Sequence, residues 1–194
     1  FTETAVPSIT HVVSLTQKMD IFQEQAYITD NKYPVWLLYR NKIFDEFADS
    51  LKLGVFEAFR DRQIVNSMVS SKGIYRVLKS RNIGSNKIID IDGYDCYMDD
   101  ISNLHVSRFL NAENVVLVPN LSYAPRACFL PKNTIANGSV ALLTLKDKEY
   151  DITEKDLELF STKEFTEYYR IARNYGTRSL NIDNNSVCFF GIRR

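Results

Sequence analysis

Arg60, Asp61, Arg62 and Gln63 stand side by side, two guanidinium groups flanking a carboxylate and followed by a carboxamide. Such a set suits the edges of DNA bases. A guanidinium donates two hydrogen bonds to guanine, and a carboxamide pairs twice with adenine. The same residues suit a structural knot in which Asp61 pairs with one arginine and tethers a loop. Lys79, Ser80, Arg81 and Asn82 form a second polar set, whose donors suit phosphate oxygens; a solvated turn is the plainer alternative. Between Asn120 and Arg126 lies Tyr123, and an exposed ring beside an arginine suits stacking or base-edge contact. If that segment is only a crossover, Tyr123 is expected to be buried. Arg173, Tyr175, Thr177 and Arg178 surround Gly176, where cations would also complement a helix dipole.

Other chemistries find fewer residues. His11 and His105 show no neighbouring carboxylate or cysteine of the kind a triad or a zinc site needs. Asp90, Asp92, Asp95, Asp99 and Asp100 lack the glycine and glutamate spacing of a calcium-binding loop, so a solvated acidic edge is expected and no metal site. Asp151, Glu154 and Lys155 lie at an expected helix start, where capping explains them better than nuclease chemistry does. Cys96, Cys128 and Cys188 are odd in number and widely spaced, which fits free thiols in a reducing cytoplasm.

Charge is balanced overall, 24 basic residues against 24 acidic, whereas free-standing nucleic-acid binders are usually basic. The balance hides a segregation. From Phe59 to Lys87 the basic residues are Arg60, Arg62, Lys72, Arg76, Lys79, Arg81 and Lys87, and the one acid is Asp61. In the next stretch, to Asp100, the charged residues are all aspartates. A polyanion within a Debye length would feel such a local field.

The elements that must position these groups follow from periodicity. Apolar residues after Pro34 recur at helical spacing as far as Leu51, with Gly54 as a stop, and predict a helix burying Trp36, Phe44 and Phe47. Short strands are predicted over residues 74–80, 87–92, 115–118, 126–130 and 134–145, the last around an Asn137-Gly138 turn or bulge. Thr153 and then Ser161 or Thr162 are expected to cap two helices, the second burying Phe165, Tyr168, Tyr169 and Ala172 and ending at Tyr175-Gly176. Residues 180–182 and 187–190 are expected to close a sheet. This order of elements is α+β, and 194 residues suit one large domain. No apolar run predicts a membrane span. Residues 1–7 lack the marks of a signal peptide and are expected to come from the interior of a longer product.

Three stretches, in order, resemble the DNA target-recognition domains of restriction–modification enzymes. Residues 59–64 with 75–83 are similar to the family's opening strand and basic turn. Residues 114–120, followed by Pro125 to Phe129 and Asn137 to Val140, are similar to its central strand, variable loop and return strands. Residues 160–165 through 175–182 are similar to its late helix and polar turn. Such domains occur in type I specificity subunits and at the C-terminal ends of fused type II (type IIG) adenine methyltransferases. The resemblance covers about residues 55–194, and residues 1–54 are expected to be a helical segment or a linker from a preceding domain. It implies a β-rich recognition core with flanking helices that grips double-stranded DNA while other domains or subunits of the parent enzyme do the chemistry. The candidate DNA-contacting residues, chosen by their side-chain chemistry, are Arg60, Arg62, Gln63, Lys79, Arg81, Asn82, Asn120, Tyr123, Arg126, Arg173 and Arg178. Adenine methyltransferases of this kind use a glycine-rich cofactor loop and an Asn/Asp-Pro-Pro-aromatic motif. This sequence has neither a Gly-x-Gly nor a Pro-Pro pair. The expectation is therefore a non-catalytic module without a cofactor of its own, S-adenosylmethionine belonging to the parent. A protein-interaction or scaffold module of the same complex is the alternative.

Overall fold

The computed structural model describes residues 8–120, 122–176, 179 and 181–193. An antiparallel hairpin of β1 (Ile9–Ser14) and β2 (Met19–Glu24) leads through the short helix α1 (Gln25–Ile28) to helix α2 (Lys42–Asp49). There follow β3 (Leu51–Lys52), β4 (Phe56–Phe59), β5 (Tyr75–Leu78), β6 (Cys96–Met98) and β7 (Val116–Pro119). β8 (Cys128–Phe129), β9 (Thr134–Ala136), β10 (Val140–Leu145), the helices α3 (Glu154–Phe160) and α4 (Lys163–Ala172), and β11 (Ile192–Arg193) complete the order. The fold is α+β, as its sequence pattern predicts. No helix among the described residues is long and apolar enough to cross a membrane.

The centre is a sheet in the order β4-β10-β7-β8. Successive side chains of a strand point to opposite faces, and here both faces are covered. Ala141 and Leu143 join Val116 and Val118 in one apolar cluster, whereas Val140 and Leu142 join Leu117 and Cys128 in another. A strand covered on both sides reads as an unbroken apolar run, which is what Val140 to Leu143 is. On the first face α2, α4 and a 3-10 turn (Ser186–Phe189) supply an aromatic layer of Phe44, Phe165, Tyr168, Phe189 and Phe190. Each fully buried ring of this kind contributes roughly 1.5–3 kcal/mol. On the other face lies the small sheet β6-β5-β9, in which β5 and β9 run parallel.

Helices α3 and α4 form where capping predicts, with Thr153 accepting from the N–H of Asp156 and Thr162 from that of Phe165. All four aromatic and small residues expected on the inner face of α4 are buried. The helix expected from Pro34 starts only at Lys42. Asn41 caps it, and the preceding residues are spent on tertiary bonds: Leu37 N–H to Ile28, and Leu38 N–H to the Asn174 side chain at 2.7 Å. Trp36, expected in the core, is consequently 40% exposed, while Phe44 is buried. α4 also ends earlier than its glycine suggests. Asn174 and Tyr175 adopt left-handed φ of 50° and 51°, and the Asn174 amide then clamps the chain at Trp36 and Leu38.

Three further expectations are corrected. Residues 87–92 form no strand, only an isolated bridge between Ile83 and Ile88. The segment 187–190 is mostly a 3-10 turn, and the last strand comes later, at β11. Residues before 54 are not simply helical: they open with the β1–β2 hairpin, and Tyr33, Leu37, Phe44 and Ala48 share the aromatic layer with α4. β3 pairs with β11, tying this segment to the end of the chain.

Candidate nucleic-acid interface

Asn137-Gly138 is not a hairpin turn. It carries the chain from β9, in the small sheet, to β10, in the central one. Gly138 is needed there for close approach, since a Cβ would stand 2.8 Å from the carbonyl oxygen of Asp61. Next to it, Ser139 joins three segments. Its hydroxyl accepts from the N–H of Ser80 at 3.0 Å and donates to Asn137, and its carbonyl accepts from the N–H of Asn120. Loops distant in sequence are thereby drawn to one end of the two sheets.

Asp61 is buried, but it pairs with neither arginine. Its carboxylate accepts from the N–H groups of Gln63 and Val106, each at 2.8 Å. The tether foreseen for Asp61 exists, made with backbone instead. Gln63 adds to it by accepting from the His105 N–H at 2.9 Å. Arg60 and Arg62 are left to line a cleft of about 690 Å³ together with Asn181, Asp183, Asn184 and Asn185. Burial, and then repulsion from Arg62, push the Arg60 guanidinium below its ordinary pKa, against the pull of Asp183. Asp183 is already engaged by Arg173 at 3.0 Å and by the N–H groups of Asn185 and Ser186. Neither Arg60 nor Arg62 has an ion pair among the described residues. A cleft with two such cations and three carboxamides offers strong donors to an anion or to base edges.

The other expected residues divide into those that build this end and those that face outward. Asn82 is fully buried, accepting from the Lys79 N–H and donating to Ile89 and, at 2.6 Å, to Asp95. It is a brace, out of reach of a ligand. Asn120 is likewise buried, accepting from the Ile182 N–H at 2.8 Å. Arg126 spends its guanidinium on the carbonyls of Ile83 and Ser80 and on the Ser122 hydroxyl. Burial lowers its pKa, as expected of a cation fed mostly by neutral acceptors. Arg173 is the C-cap of α4 and is held by Asp183. Facing outward are Arg62, Arg81 and Tyr123, the last 72% exposed, so the buried-crossover alternative does not hold. Arg178 lies outside the described residues.

Sequence reasoning missed Tyr94. Its ring lies 3.8 Å from the Lys79 ammonium and 4.8 Å from the Arg81 guanidinium, and its carbonyl accepts from Lys79. No local pattern marks it, because the contact arises only when the loop after residue 88 folds back. The same fold-back undoes part of the charge segregation, for Arg76 pairs with Asp90 at 2.6 Å and Asp95 at 2.7 Å. His11 also has a carboxylate after all: hairpin register brings Asp20 to 2.6 Å and stacks His11 on Phe22. No cluster of His, Cys, Asp or Glu among the described residues is arranged to hold a metal. Compared with known proteins, the chain is matched by no family model and by no curated sequence.

Proposed function

We propose that this chain is a sequence-specific DNA-recognition module of a restriction–modification enzyme, working in cis with a methyltransferase or nuclease domain. The observation that carries the reading is the cleft in which Arg60 and Arg62 stand without ion-pair partners among the described residues, beside Asn181, Asn184 and Asn185. Arginine forks and carboxamides are the side chains that read base edges. Asn82, Asn120 and Arg126 act in this reading as the internal frame that brings the loops together. The module is non-catalytic and cytoplasmic, and S-adenosylmethionine belongs to its parent.

Binding of labelled duplex DNA, followed by anisotropy over a salt series, tests the proposal. Affinity at low salt that falls log-linearly with added salt is expected; absence of binding at low salt, in the chain and in its parent enzyme alike, overturns it. A protein-interaction role is favoured by one observation of its own. The β1–β2 hairpin leaves Ile9, Val13, Leu15 and Phe22 largely exposed, and apolar side chains grouped on one ribbon suit burial against another domain.

A further inference from the structure

The loop that carries Arg60 and Arg62 is fastened to a second exposed arginine on a different segment. Residues 105–109 form a 3-10 turn, pinned where Asp61 receives the Val106 N–H and Gln63 the His105 N–H. From this turn Arg108 reaches back to β4, its guanidinium carbon 4.5 Å from the centre of the Phe59 ring and 4.7 Å from that of Phe109. Those rings are themselves in contact, 5.1 Å apart. Phe59 is the residue before Arg60, but its ring packs on the face of the central sheet opposite to Ala58 and Ile182, which line the cleft, so Arg108 flanks the loop on the side away from the cleft. The acids of the preceding loop are turned elsewhere, Asp99 to the Ile74 N–H and Asp100 to that of Ser102. Arg108 remains exposed, with no carboxylate bonded to it among the described residues.

An exposed arginine normally loses rotamer freedom when it binds. Contact with two rings restrains this one beforehand, and its N–H groups have no hydrogen-bond acceptor among the described residues, which suits a phosphate oxygen pair. The face of a guanidinium satisfied by rings and its edge left open point to a backbone contact, which fixes register without reading sequence. We propose that Arg108 is a phosphate-binding residue of this module, gripping the DNA backbone across the loop from the cleft of Arg60 and Arg62, to which its turn is pinned through Asp61 and Gln63. The proposal rests on the DNA-recognition reading above.

The test measures the salt dependence of binding to the preferred duplex and to a scrambled one, for the unchanged chain, Arg108→Ala, Arg108→Lys and Lys155→Ala. Lys155 is exposed on α3 and supplies the same change of charge away from the turn. Loss of one phosphate contact makes the log–log salt slope shallower by about 0.9 and weakens low-salt binding roughly tenfold. Both duplexes are expected to lose affinity equally with Arg108→Ala, and Arg108→Lys is expected to restore the slope but only part of the affinity. Arg108→Ala behaving like Lys155→Ala overturns the assignment of Arg108 and leaves the module's DNA binding standing. Loss confined to the preferred duplex also overturns it, since Arg108 would then be reading bases. No binding by the unchanged chain overturns the parent reading, and this proposal with it.

Discussion

Arg40 and Arg62 carry the same group to opposite fates. Arg40 lies 8% exposed in the N-terminal part, where its guanidinium meets Asp45 at 2.6 Å, Asp30 at 2.8 Å and the Tyr27 carbonyl, and stacks over the Tyr27 ring. Arg62, at the loop end, is exposed and has no carboxylate bonded to it among the described residues. The only acid beside it in sequence, Asp61, is turned inward to backbone N–H groups. An arginine supplied by the fold with acids, as Arg40 is, or with carbonyls, as Arg126 is, is structure, and one denied both keeps its hydrogen-bonding capacity for a ligand. Charge counts over sequence windows treat the two alike.

The sharpest way to break that comparison is to remove each guanidinium in turn. Arg40→Met leaves Asp30 and Asp45 without their cation and is expected to destabilise the fold by roughly 3 kcal/mol, read from the urea midpoint. Arg62→Met is expected to leave stability within about 0.5 kcal/mol while lowering affinity for duplex DNA. If Arg62→Met unfolds the chain as readily as Arg40→Met, the distinction fails.

Gly138→Ala strikes the frame instead of the cations. Its methyl would press on the Asp61 carbonyl, and a cost of roughly 1–3 kcal/mol is expected, together with weaker DNA binding although no cation is removed. Retained stability and affinity would show that the two loops part without consequence.

Acid titration gives a smaller effect. The Lys32 N–H and then the Arg40 guanidinium hold the Asp30 carboxyl below its ordinary value of 3.8. A depressed carboxyl pKa stabilises the fold above the unfolded value and ceases to do so as pH falls through the folded one. Melting temperature is therefore expected to drop as pH is lowered below about 3.8, and to drop less steeply in Asp30→Asn. Equal slopes for the two proteins would remove Asp30 from the account of acid lability.

Much of the fold was legible because its signals are local. Thr153 and Thr162 announce their helices through a side chain that reaches three residues ahead, and Val140 to Leu143 announces a strand covered on both faces. The helix expected from Pro34 misled because Leu37 and Leu38 give their N–H groups to Ile28 and to the remote Asn174 side chain, so that the local cap at Asn41 starts the helix only at Lys42. In the candidate site the polar sets stood out by residue type, yet their roles did not. Asn82 and Arg81 are neighbours in sequence; one is buried under Asp95 and Ile89, the other lies open over Tyr94.

By itself the sequence determined the α+β class, the capped helices of the last third, the apolar central strand and the absence of methyltransferase motifs. Those depend on periodicity, on side chains bonding within a turn of themselves, and on residue identity. Only the tertiary structure decided which cations are spent and which are left. That outcome depends on carboxylates and carbonyls arriving from residues remote in sequence, and a hydrogen bond, charged or neutral, forms only when its partners come within about 3 Å.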